Sequence, residues 1–331
     1  MKGDLFMRYK QFGSTGLSLS EISVGTWALG GKDMGPVDEK DAIEAIHAMI
    51  DNGVNFIDTA PTYGRGASEE IVGKALKGRR DQVALLTKCG IRWDEGPKDF
   101  TKGAIRDSSR ASILRQIDDS LHRLQTDHVD FYLIHWPDVN TPLEETADVL
   151  KELKKAGKIR YTGVSNFEPA QLDALYRLGV LDVVQYPYSM VNRSKEALLK
   201  QYHDKGVAAM GYGSLGAGIL TGAIRQLPHF DSHDARLGFY DFFVEPRFSQ
   251  VMKLLAALDI IAQRRNVPVA QVAINWTTQC GVVDTSLTGV RNAAEAVENT
   301  AAMSWSLDAE EIAQINAAIH THLDSADKDG R

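Results

Sequence analysis

The stretch Val54-Asn55-Phe56-Ile57-Asp58-Thr59-Ala60-Pro61-Thr62-Tyr63-Gly64 begins as a buried strand and continues as a polar loop. Residues 83–88 and 129–135 have the same apolar character, and each of these segments also ends in an ionisable side chain. In a barrel of parallel strands, the carboxyl ends of the strands converge on one face, where such barrels carry out chemistry. We therefore expect four side chains to meet on that face: Asp58, Tyr63, Lys88 and His135.

Short runs rich in Val, Ile and Phe alternate with longer helical patterns, which indicates repeated strand–helix units and a parallel sheet. The predicted strands lie near residues 21–26, 54–58, 83–88, 129–135, 159–164, 182–186, 206–212 and 282–287. The predicted helices include residues 39–51, 68–76, 110–124, 143–155, 168–178, 195–203 and 248–265. The simplest arrangement of eight such units is an α/β fold, a (β/α)8 TIM barrel formed as one domain by residues 1–331.

Three additions to this barrel are expected. Residues 9–20 carry two turn signals with glycine and predict an N-terminal β-hairpin. The spacing between predicted strand ends is largest after Lys88 and after Tyr212, which predicts long loops on the catalytic face. Within the second loop, residues 222–247 are predicted to form a mobile lid.

The composition is that of an ordinary globular protein, with 331 residues of which 44% are hydrophobic and 24% are charged. The net charge of -7 argues against sequence-independent binding of nucleic acid, which needs a basic surface. No long apolar run predicts a membrane span, and the N-terminus lacks the apolar core of a secretory signal. Two cysteines are too few for a disulfide framework, which favours a cytoplasmic protein. Residues 1–7 and 324–331 are expected to be flexible.

The four ionisable residues have complementary chemistry. A free tyrosine has a pKa of about 10 and is a poor proton donor near pH 7, but a nearby ammonium lowers that pKa. We expect Lys88 to supply the ammonium, Asp58 to hold it, and neutral His135 to donate a hydrogen bond to a substrate oxygen. Each residue alone also has a structural interpretation, as a solvated, capping or packing side chain, and only the joint pattern favours catalysis.

Four motifs together resemble the aldo-keto reductase superfamily, and especially its bacterial branch of general stress and inositol-operon reductases. These motifs are Phe56-Ile57-Asp58-Thr59-Ala60-Pro61-Thr62-Tyr63-Gly64, Thr87-Lys88-Cys89-Gly90, Leu133-Ile134-His135-Trp136-Pro137-Asp138 and Gly163-Val164-Ser165-Asn166-Phe167. The resemblance implies an eight-stranded barrel, a nicotinamide cofactor bound without a Rossmann fold, and a catalytic tetrad of Asp58, Tyr63, Lys88 and His135. It also implies hydride transfer between aldehydes or ketones and alcohols, with Tyr63 as the general acid and base.

The resemblance also assigns residues to the cofactor. Ser165, Asn166 and Gln185 are expected to bind the carboxamide, although loop capping is an equally good interpretation of both amides, and Tyr212 is expected to stack beneath the nicotinamide. Gly213 replaces a serine that is usual in the family, so one phosphate contact is lost or is supplied by Ser214. The other residues expected near the cofactor are Thr26, Trp27, Asp58, Leu215, Gly218 and Gly289.

The adenosine end of the cofactor is expected after the eighth strand. Arg291 precedes a helical pattern, where a guanidinium and a helix N-terminus both favour an anion. The resemblance implies that Arg291 binds the 2′-phosphate of NADP and that Asn299 reaches the adenine, whereas the alternative is a surface arginine. Glu295 stands where related proteins usually have Gln, and its carboxylate repels a 2′-phosphate. NADP(H) is therefore the expected cofactor, with NAD(H) as second choice.

Gly211-Tyr212-Gly213-Ser214-Leu215-Gly216 matches the pattern G-x-G-x-x-G, but we reject a Rossmann interpretation. That fingerprint opens a continuous helix within a short strand–helix–strand unit. Here it leads into further glycines and a loop that contains Pro228.

An aromatic substrate pocket is expected, because tryptophans follow three of the predicted strand ends. Its expected residues are Trp27, Tyr63, Trp93, His135 and Trp136. Such a cleft suits small hydroxylated aldehydes, aldoses or polyols of the glyceraldehyde or glycerol type. The expected partner is thus a small carbonyl or alcohol, while the oligomeric state is left open and a monomer is possible.

Two alternatives remain open. A noncatalytic cofactor-binding subunit, resembling potassium-channel β subunits, would keep both the barrel and the cofactor. A metal hydrolase would need clustered ligands, and two groups have suitable spacing: His229 with Asp231, His233 and Asp234, and His320 with His322. Both groups lie away from the predicted strand ends, so no metal is expected.

Overall fold

The computed structural model describes residues 7–31, 35–93, 104–230, 234, 236 and 239–324. Eight parallel strands form a closed barrel in the order β3, β4, β5, β8, β9, β10, β11, β12. The strands, numbered along the chain, are β1 (Tyr9–Gln11), β2 (Ser18–Ser20), β3 (Ile22–Gly25), β4 (Phe56–Asp58), β5 (Ala84–Cys89), β6 (Ile91–Trp93), β7 (Ala104–Arg106), β8 (Val129–Ile134), β9 (Ile159–Ser165), β10 (Val183–Pro187), β11 (Ala208–Tyr212) and β12 (Thr285–Gly289). All eight predicted barrel strands are present, so the predicted (β/α)8 barrel is confirmed.

The α-helices pack around the outside of the barrel. They are α1 (Glu39–Asp51), α2 (Ala67–Ala75), α3 (Arg110–Leu124), α4 (Leu143–Lys155), α5 (Pro169–Arg177), α6 (Glu196–His203), α7 (Arg247–Arg265), α8 (Val269–Gln279), α9 (Ala293–Ala301) and α10 (Ala309–Ile319). The seven helices named from the sequence match α1 to α7 closely, whereas α8 and α10 were not predicted. Within the described ranges, no helix combines the length and the apolar character that crossing a membrane requires.

The barrel interior explains why polar residues gather at one end. Successive side chains of a strand point to opposite faces, so every second residue enters the barrel. The interior apolar cluster contains Phe12, Leu19, Phe56, Leu86, Phe131, Leu133, Val183, Ala208, Met210 and Leu287. The predicted site residues Asp58, Lys88 and His135 lie two positions after Phe56, Leu86 and Leu133, respectively. The polar site is therefore the uppermost layer of the barrel interior.

A hairpin closes the opposite end of the barrel. Strands β1 and β2 pair antiparallel, with Tyr9 opposite Ser20, which confirms the predicted N-terminal hairpin. Phe12 lies in the turn of this hairpin and is fully buried. Its ring packs edge-on against those of Phe56 and Phe131, with centroid distances of 5.3 Å and 5.2 Å, respectively. These aromatic contacts fill the base of the barrel with apolar surface.

Two insertions lie on the catalytic side. The first begins with an antiparallel hairpin of β6 and β7, which was not predicted from the sequence. The described part of the predicted lid, residues 222–247, contains a cluster of aromatic rings in contact: Phe230, Phe239, Tyr240, Phe242 and Phe243. Residues 231–233, 235 and 237–238 of this segment lie outside the described residues.

The predicted flexible ends are described only at their inner boundaries. Met7 packs against the hydrophobic core, and Asp324 forms an ion pair with Arg193, so contacts hold both of these residues. The rest of the two predicted tails, residues 1–6 and 325–331, lies outside the described residues.

Candidate active site

Lys88 is the centre of the polar layer and is fully buried. Its Nζ donates to both carboxylate oxygens of Asp58, at 2.7 and 2.9 Å, and to the carbonyl oxygen of Thr59 at 3.0 Å. It also donates to the hydroxyl of Tyr63 at 3.1 Å. The structure thus joins Asp58 and Tyr63 through Lys88, which contacts both.

Burial acts on both members of the Lys88–Asp58 pair. It lowers the pKa of Lys88 and raises the pKa of Asp58, because each charged form loses hydration. The attraction between the two charges opposes both shifts, and a third hydrogen bond to Asp58 comes from Gln185. An ammonium next to a phenol stabilises the phenolate, so the arrangement makes the Tyr63 hydroxyl a better proton donor.

His135 completes the predicted group. Its ring lies edge-on to the ring of Tyr63, with centroids 5.9 Å apart, and its Nδ1 lies 3.3 Å from the hydroxyl of Thr62. Burial first, and the charge of Lys88 second, lower the pKa of His135 well below its usual value. The imidazole is therefore neutral at neutral pH and is able to donate one hydrogen bond without adding positive charge.

The close approach of two glycines fixes the loop that carries Tyr63. Gly64 has a φ of +63°, and a Cβ there would lie 2.2 Å from the carbonyl oxygen of Gly30. A Cβ on Gly30 would lie 2.6 Å from the nitrogen of Gly64. Side chains at either position would push the two segments apart, so this contact requires glycine and sets the position of Tyr63.

The amides expected near the nicotinamide form a polar wall beside the acid group. Gln185 Nε2 donates to Asp58 Oδ2 at 2.8 Å, and the hydroxyl of Ser165 donates to the carbonyl of Gln185 at 3.0 Å. Asn166, with a φ of +64°, donates from Nδ2 to the His135 carbonyl at 3.2 Å and accepts from the Tyr212 hydroxyl at 3.0 Å. These internal bonds correspond to the structural interpretation of the amides, and they also hold the four side chains next to the tetrad.

Two of the hydroxyls expected near the cofactor have bonds inside the barrel wall. Thr26 is fully buried and donates from Oγ1 to the carbonyl of Asp58 at 2.9 Å. Ser214 is also buried and donates to the carbonyl of Leu287 at 2.8 Å. A contact between the Ser214 hydroxyl and a phosphate would require this bond to break. Both hydroxyls therefore have structural roles that the sequence did not reveal.

The glycine-rich segment after β11 does not open an α-helix. Residues Gly216–Thr221 form a 3-10 helix with Gly218 in the left-handed region at a φ of +99°, while Leu215 packs against the core. The rejection of the Rossmann interpretation is thus confirmed by the local geometry.

The residues expected to contact the adenosine lie at the start of α9. Glu295 accepts from the backbone N–H of Arg291 at 2.8 Å and from Asn292 Nδ2 at 3.2 Å, while Asn292 Oδ1 accepts from the N–H of Glu295. Asn299 is buried and donates to the carbonyl of Gly289 at 3.3 Å. Asn292 therefore caps the helix, and the carboxylate of Glu295 binds the backbone directly at Arg291. Sequence reasoning missed this contact, although Asn292 is a typical N-cap residue.

The tryptophans have different neighbours. The ring of Trp27 lies 6.4 Å from that of Tyr63 at 30°, and it also meets Phe239 of the predicted lid at 5.8 Å. The guanidinium of Arg65 lies over Trp93, and that of Arg106 lies over Trp136. Trp27 therefore adjoins Tyr63 of the tetrad, and its expected role in binding stays a prediction. Phe239 and the two arginines are additional neighbours that were not predicted from the sequence.

No three His, Cys, Asp or Glu side chains in the described part of the chain lie close enough together to hold a metal. Asp231 and His233 of the alternative metal site lie outside that part.

Comparisons with known proteins agree with this geometry. A sequence model of the Aldo/keto reductase family matches residues 21–320. The chain is 39% identical over 321 residues to the aldo-keto reductase YhdN of Bacillus subtilis, covering 96% of this chain and 95% of that protein. It is 34% identical to the NADH-specific methylglyoxal reductase of Escherichia coli, covering 91% and 95%.

A solved structure shows the same fold. The glycerol dehydrogenase AKR11B4 from Gluconobacter oxydans superposes with a TM-score of 0.85 at 33% identity, covering 97% of each chain. The match to the family over most of the chain, with the barrel and the buried Asp58–Lys88–Tyr63 contacts, leads to one conclusion. The chain belongs to the aldo/keto reductase family, which binds nicotinamide cofactors.

Proposed function

We propose that this protein is an NADP(H)-dependent oxidoreductase that interconverts aldehydes or ketones with alcohols. The observation that carries the proposal is the buried bridge in which Lys88 Nζ contacts the Asp58 carboxylate at 2.7 Å and the Tyr63 hydroxyl at 3.1 Å. A phenol held beside an ammonium is suited to give a proton to an oxygen that is gaining negative charge, and to take it back in the reverse direction.

The roles of the residues follow from their contacts. When bound, the nicotinamide supplies or accepts the hydride. Tyr63 donates the proton to the substrate oxygen, Lys88 stabilises the resulting phenolate, and Asp58 keeps Lys88 in position. His135 is neutral and donates a hydrogen bond that orients the same substrate oxygen. We assign Asn166, Gln185 and Tyr212 to the nicotinamide because they form the wall next to this group.

The preference for NADP(H) rests on Arg291 just before α9, where a guanidinium and the positive end of the helix dipole attract a phosphate. Glu295 opposes this preference, since its carboxylate lies against the backbone of Arg291. A relative with 34% identity carries the name NADH-specific methylglyoxal reductase, which supports NAD(H) as the second cofactor.

For the substrate, we propose short hydroxylated aldehydes, ketones or polyols of the glyceraldehyde or glycerol type. The neighbouring rings of Trp27 and Tyr63 provide an aromatic surface for a small molecule. Relatives named methylglyoxal reductase and glycerol dehydrogenase support the same size of substrate. We also propose a cytoplasmic location, with which the two unpaired cysteines agree.

The test is the oxidation of NADPH, followed by its absorbance, with a panel of short aldehydes and ketoses, and the reduction of NADP with glycerol and other polyols. Each assay is repeated with the NAD(H) pair. The Tyr63→Phe variant should lower kcat by at least about 100-fold, because a positioned acid contributes about 10²–10⁴-fold. Binding of NADPH without turnover of any substrate would instead favour the noncatalytic cofactor-binding alternative.

A further inference from the structure

Ser68 joins three segments around the site without touching the reacting groups. It lies in the first turn of α2 and is fully buried. Its hydroxyl lies 2.7 Å from Thr26 Oγ1, 3.0 Å from the Thr26 carbonyl oxygen and 3.1 Å from Thr59 Oγ1. Its backbone N–H donates to the carbonyl of Tyr63 at 3.2 Å. One serine thus links the ends of β3 and β4 to the loop that carries Tyr63.

The hydrogen bonds of this cluster have a defined direction, because a carbonyl oxygen only accepts. The Thr26 hydroxyl donates to the carbonyl of Asp58 at 2.9 Å, so it accepts from Ser68. Ser68 has a single hydroxyl hydrogen, which points to Thr26, and it therefore accepts from Thr59. The chain of donors runs from Thr59 through Ser68 and Thr26 to the backbone of Asp58.

Both ends of this chain meet the residues that hold Lys88. The Asp58 carboxylate binds Lys88 Nζ, and the Thr59 carbonyl accepts from the same nitrogen at 3.0 Å. Backbone hydrogen bonds hold the Asp58–Thr59 peptide from two sides, because the Thr26 N–H donates to the Asp58 carbonyl at 3.1 Å and the Thr59 N–H donates to the Leu86 carbonyl at 2.9 Å. The hydroxyls of Thr26, Ser68 and Thr59 add a further constraint from the side of α2, which reaches both the Asp58 carbonyl and the Thr59 side chain.

We propose that Ser68 is a positioning residue, whose hydroxyl fixes the Asp58–Thr59 peptide and thereby the distance between Lys88 Nζ and the Tyr63 hydroxyl. Its catalytic consequence rests on the proposed function. The geometry also predicts an effect that needs no turnover, because a looser Lys88–Tyr63 contact stabilises the Tyr63 phenolate less.

The test compares Ser68→Ala with the unchanged protein. We expect kcat to fall by about 10- to 100-fold, since small displacements of reacting groups have effects of this size, while KM changes little. The titration of Tyr63 is measured separately, as the ultraviolet difference between each protein and its Tyr63→Phe counterpart. In Ser68→Ala this titration should move to higher pH.

Ser20→Ala is the matched control, because Ser20 is also fully buried and connects β3 with the segment before β4 at the opposite end of the barrel. Its hydroxyl donates to the carbonyl of Ile22 at 2.7 Å and accepts from the N–H of Asn55 at 3.2 Å. We expect this control to lower the melting temperature as Ser68→Ala does, with kcat and the Tyr63 titration unchanged. Ser68→Cys keeps a side chain of similar shape with a weak donor, and it should give intermediate values.

Equal kcat values and equal Tyr63 titrations in Ser68→Ala and Ser20→Ala would overturn the proposal and leave Ser68 a structural role only. If Ser68→Ala does not fold, Ser68→Cys decides between the same two outcomes. If the unchanged protein turns over no substrate, the proposed function fails, but the Tyr63 titration still tests the role of Ser68.

Discussion

The side-chain amide of Gln185 donates a 2.8 Å hydrogen bond to Oδ2 of Asp58, from the opposite wall of the barrel. Gln185 is almost fully buried, and Asp58 is the carboxylate that holds Lys88. A residue expected to bind the cofactor therefore also supports the acid group directly. Under the proposed function, cofactor binding and proton transfer therefore share one hydrogen-bond network.

Two substitutions of Gln185 test its contributions to cofactor binding and to the support of Asp58. Gln185→Leu removes the bond to Asp58 at similar volume, and we expect both weaker cofactor binding and a lower kcat. Gln185→Glu places a second carboxylate beside Asp58, and the repulsion raises the pKa of the new carboxyl group in the folded protein. The substitution therefore destabilises the protein more as the pH rises. Thermal unfolding between about pH 5 and 8 measures this trend. A pH-independent difference from the unchanged protein would contradict the proximity of the two groups.

Because the ion pair is buried, a variant that lacks Lys88 alone should be much less stable than one that lacks both charges. Lys88→Met leaves the Asp58 carboxylate buried and unpaired, which should lower the free energy of unfolding by about 3–5 kcal/mol. Adding Asp58→Asn removes the unpaired charge and should restore much of that loss without restoring activity. Urea unfolding of the two singles and the double variant tests this.

The exposed pair of Lys74 and Glu39, at 2.8 Å, provides a control for these measurements. Lys74→Met should change stability little, because exposed ion pairs are weak. A loss as large as that of Lys88→Met would show that the burial of the pair at Lys88 is not the cause.

His135 predicts a loss of stability in mild acid. Its pKa is lowered in the folded protein by burial, so the unfolded chain, with a histidine pKa of about 6.5, takes up the proton first. The free energy of unfolding should therefore fall as the pH decreases below about 6.5. A His135→Gln variant, which does not titrate there, should show a shallower decrease, and identical slopes would show that His135 does not contribute.

Arg291 and Glu295 should act in opposite directions on the choice of cofactor. Arg291→Ala removes a charge-assisted contact of about 1.5–3 kcal/mol, which corresponds to a loss of roughly 10- to 150-fold in NADPH affinity. NADH affinity should change little. Fluorescence titration of both reduced cofactors measures the two affinities. An equal loss of affinity for both would contradict the assignment of Arg291 to the 2′-phosphate.

Glu295→Gln is the counterpart of that experiment. Asn292 still caps the start of α9, and the new amide keeps an oxygen that can accept from the backbone N–H of Arg291, while the negative charge is lost. We expect tighter NADPH binding and unchanged or weaker NADH binding. Weaker binding of NADPH would contradict a repulsion between Glu295 and the phosphate.

The barrel strands and the contacts among Asp58, Tyr63 and Lys88 were predictable because they depend on patterns local to each strand. The alternation in β4, β5 and β8 places an apolar residue two positions before each of Asp58, Lys88 and His135, and parallel strands align their ends. The same alternation also places Gln185 and Tyr212, after Val183 and Met210, in the site layer.

Other features depend on contacts that no local pattern encodes. The α8 helix is buried along nearly its whole length, so it lacks the polar face that marks a surface helix. The hydroxyls of Ser68 and Thr26 are far apart in sequence, and only the folded barrel brings them to 2.7 Å. The α10 helix, by contrast, carries the capping box Asp308-x-x-Glu311, a signal that could have revealed it.

Phe12 stands at the base of the barrel, beneath Phe56 and Phe131, yet it belongs to the hairpin that precedes the first barrel strand. A chain shortened to begin at Ile22 would lack this plug, and solvent could enter the barrel from below. Water reaching Lys88 would screen its charge, so that the ammonium stabilises the Tyr63 phenolate less and the hydroxyl becomes a poorer proton donor. The N-terminal hairpin is thus coupled to the environment of Lys88, although the two lie at opposite ends of the barrel interior.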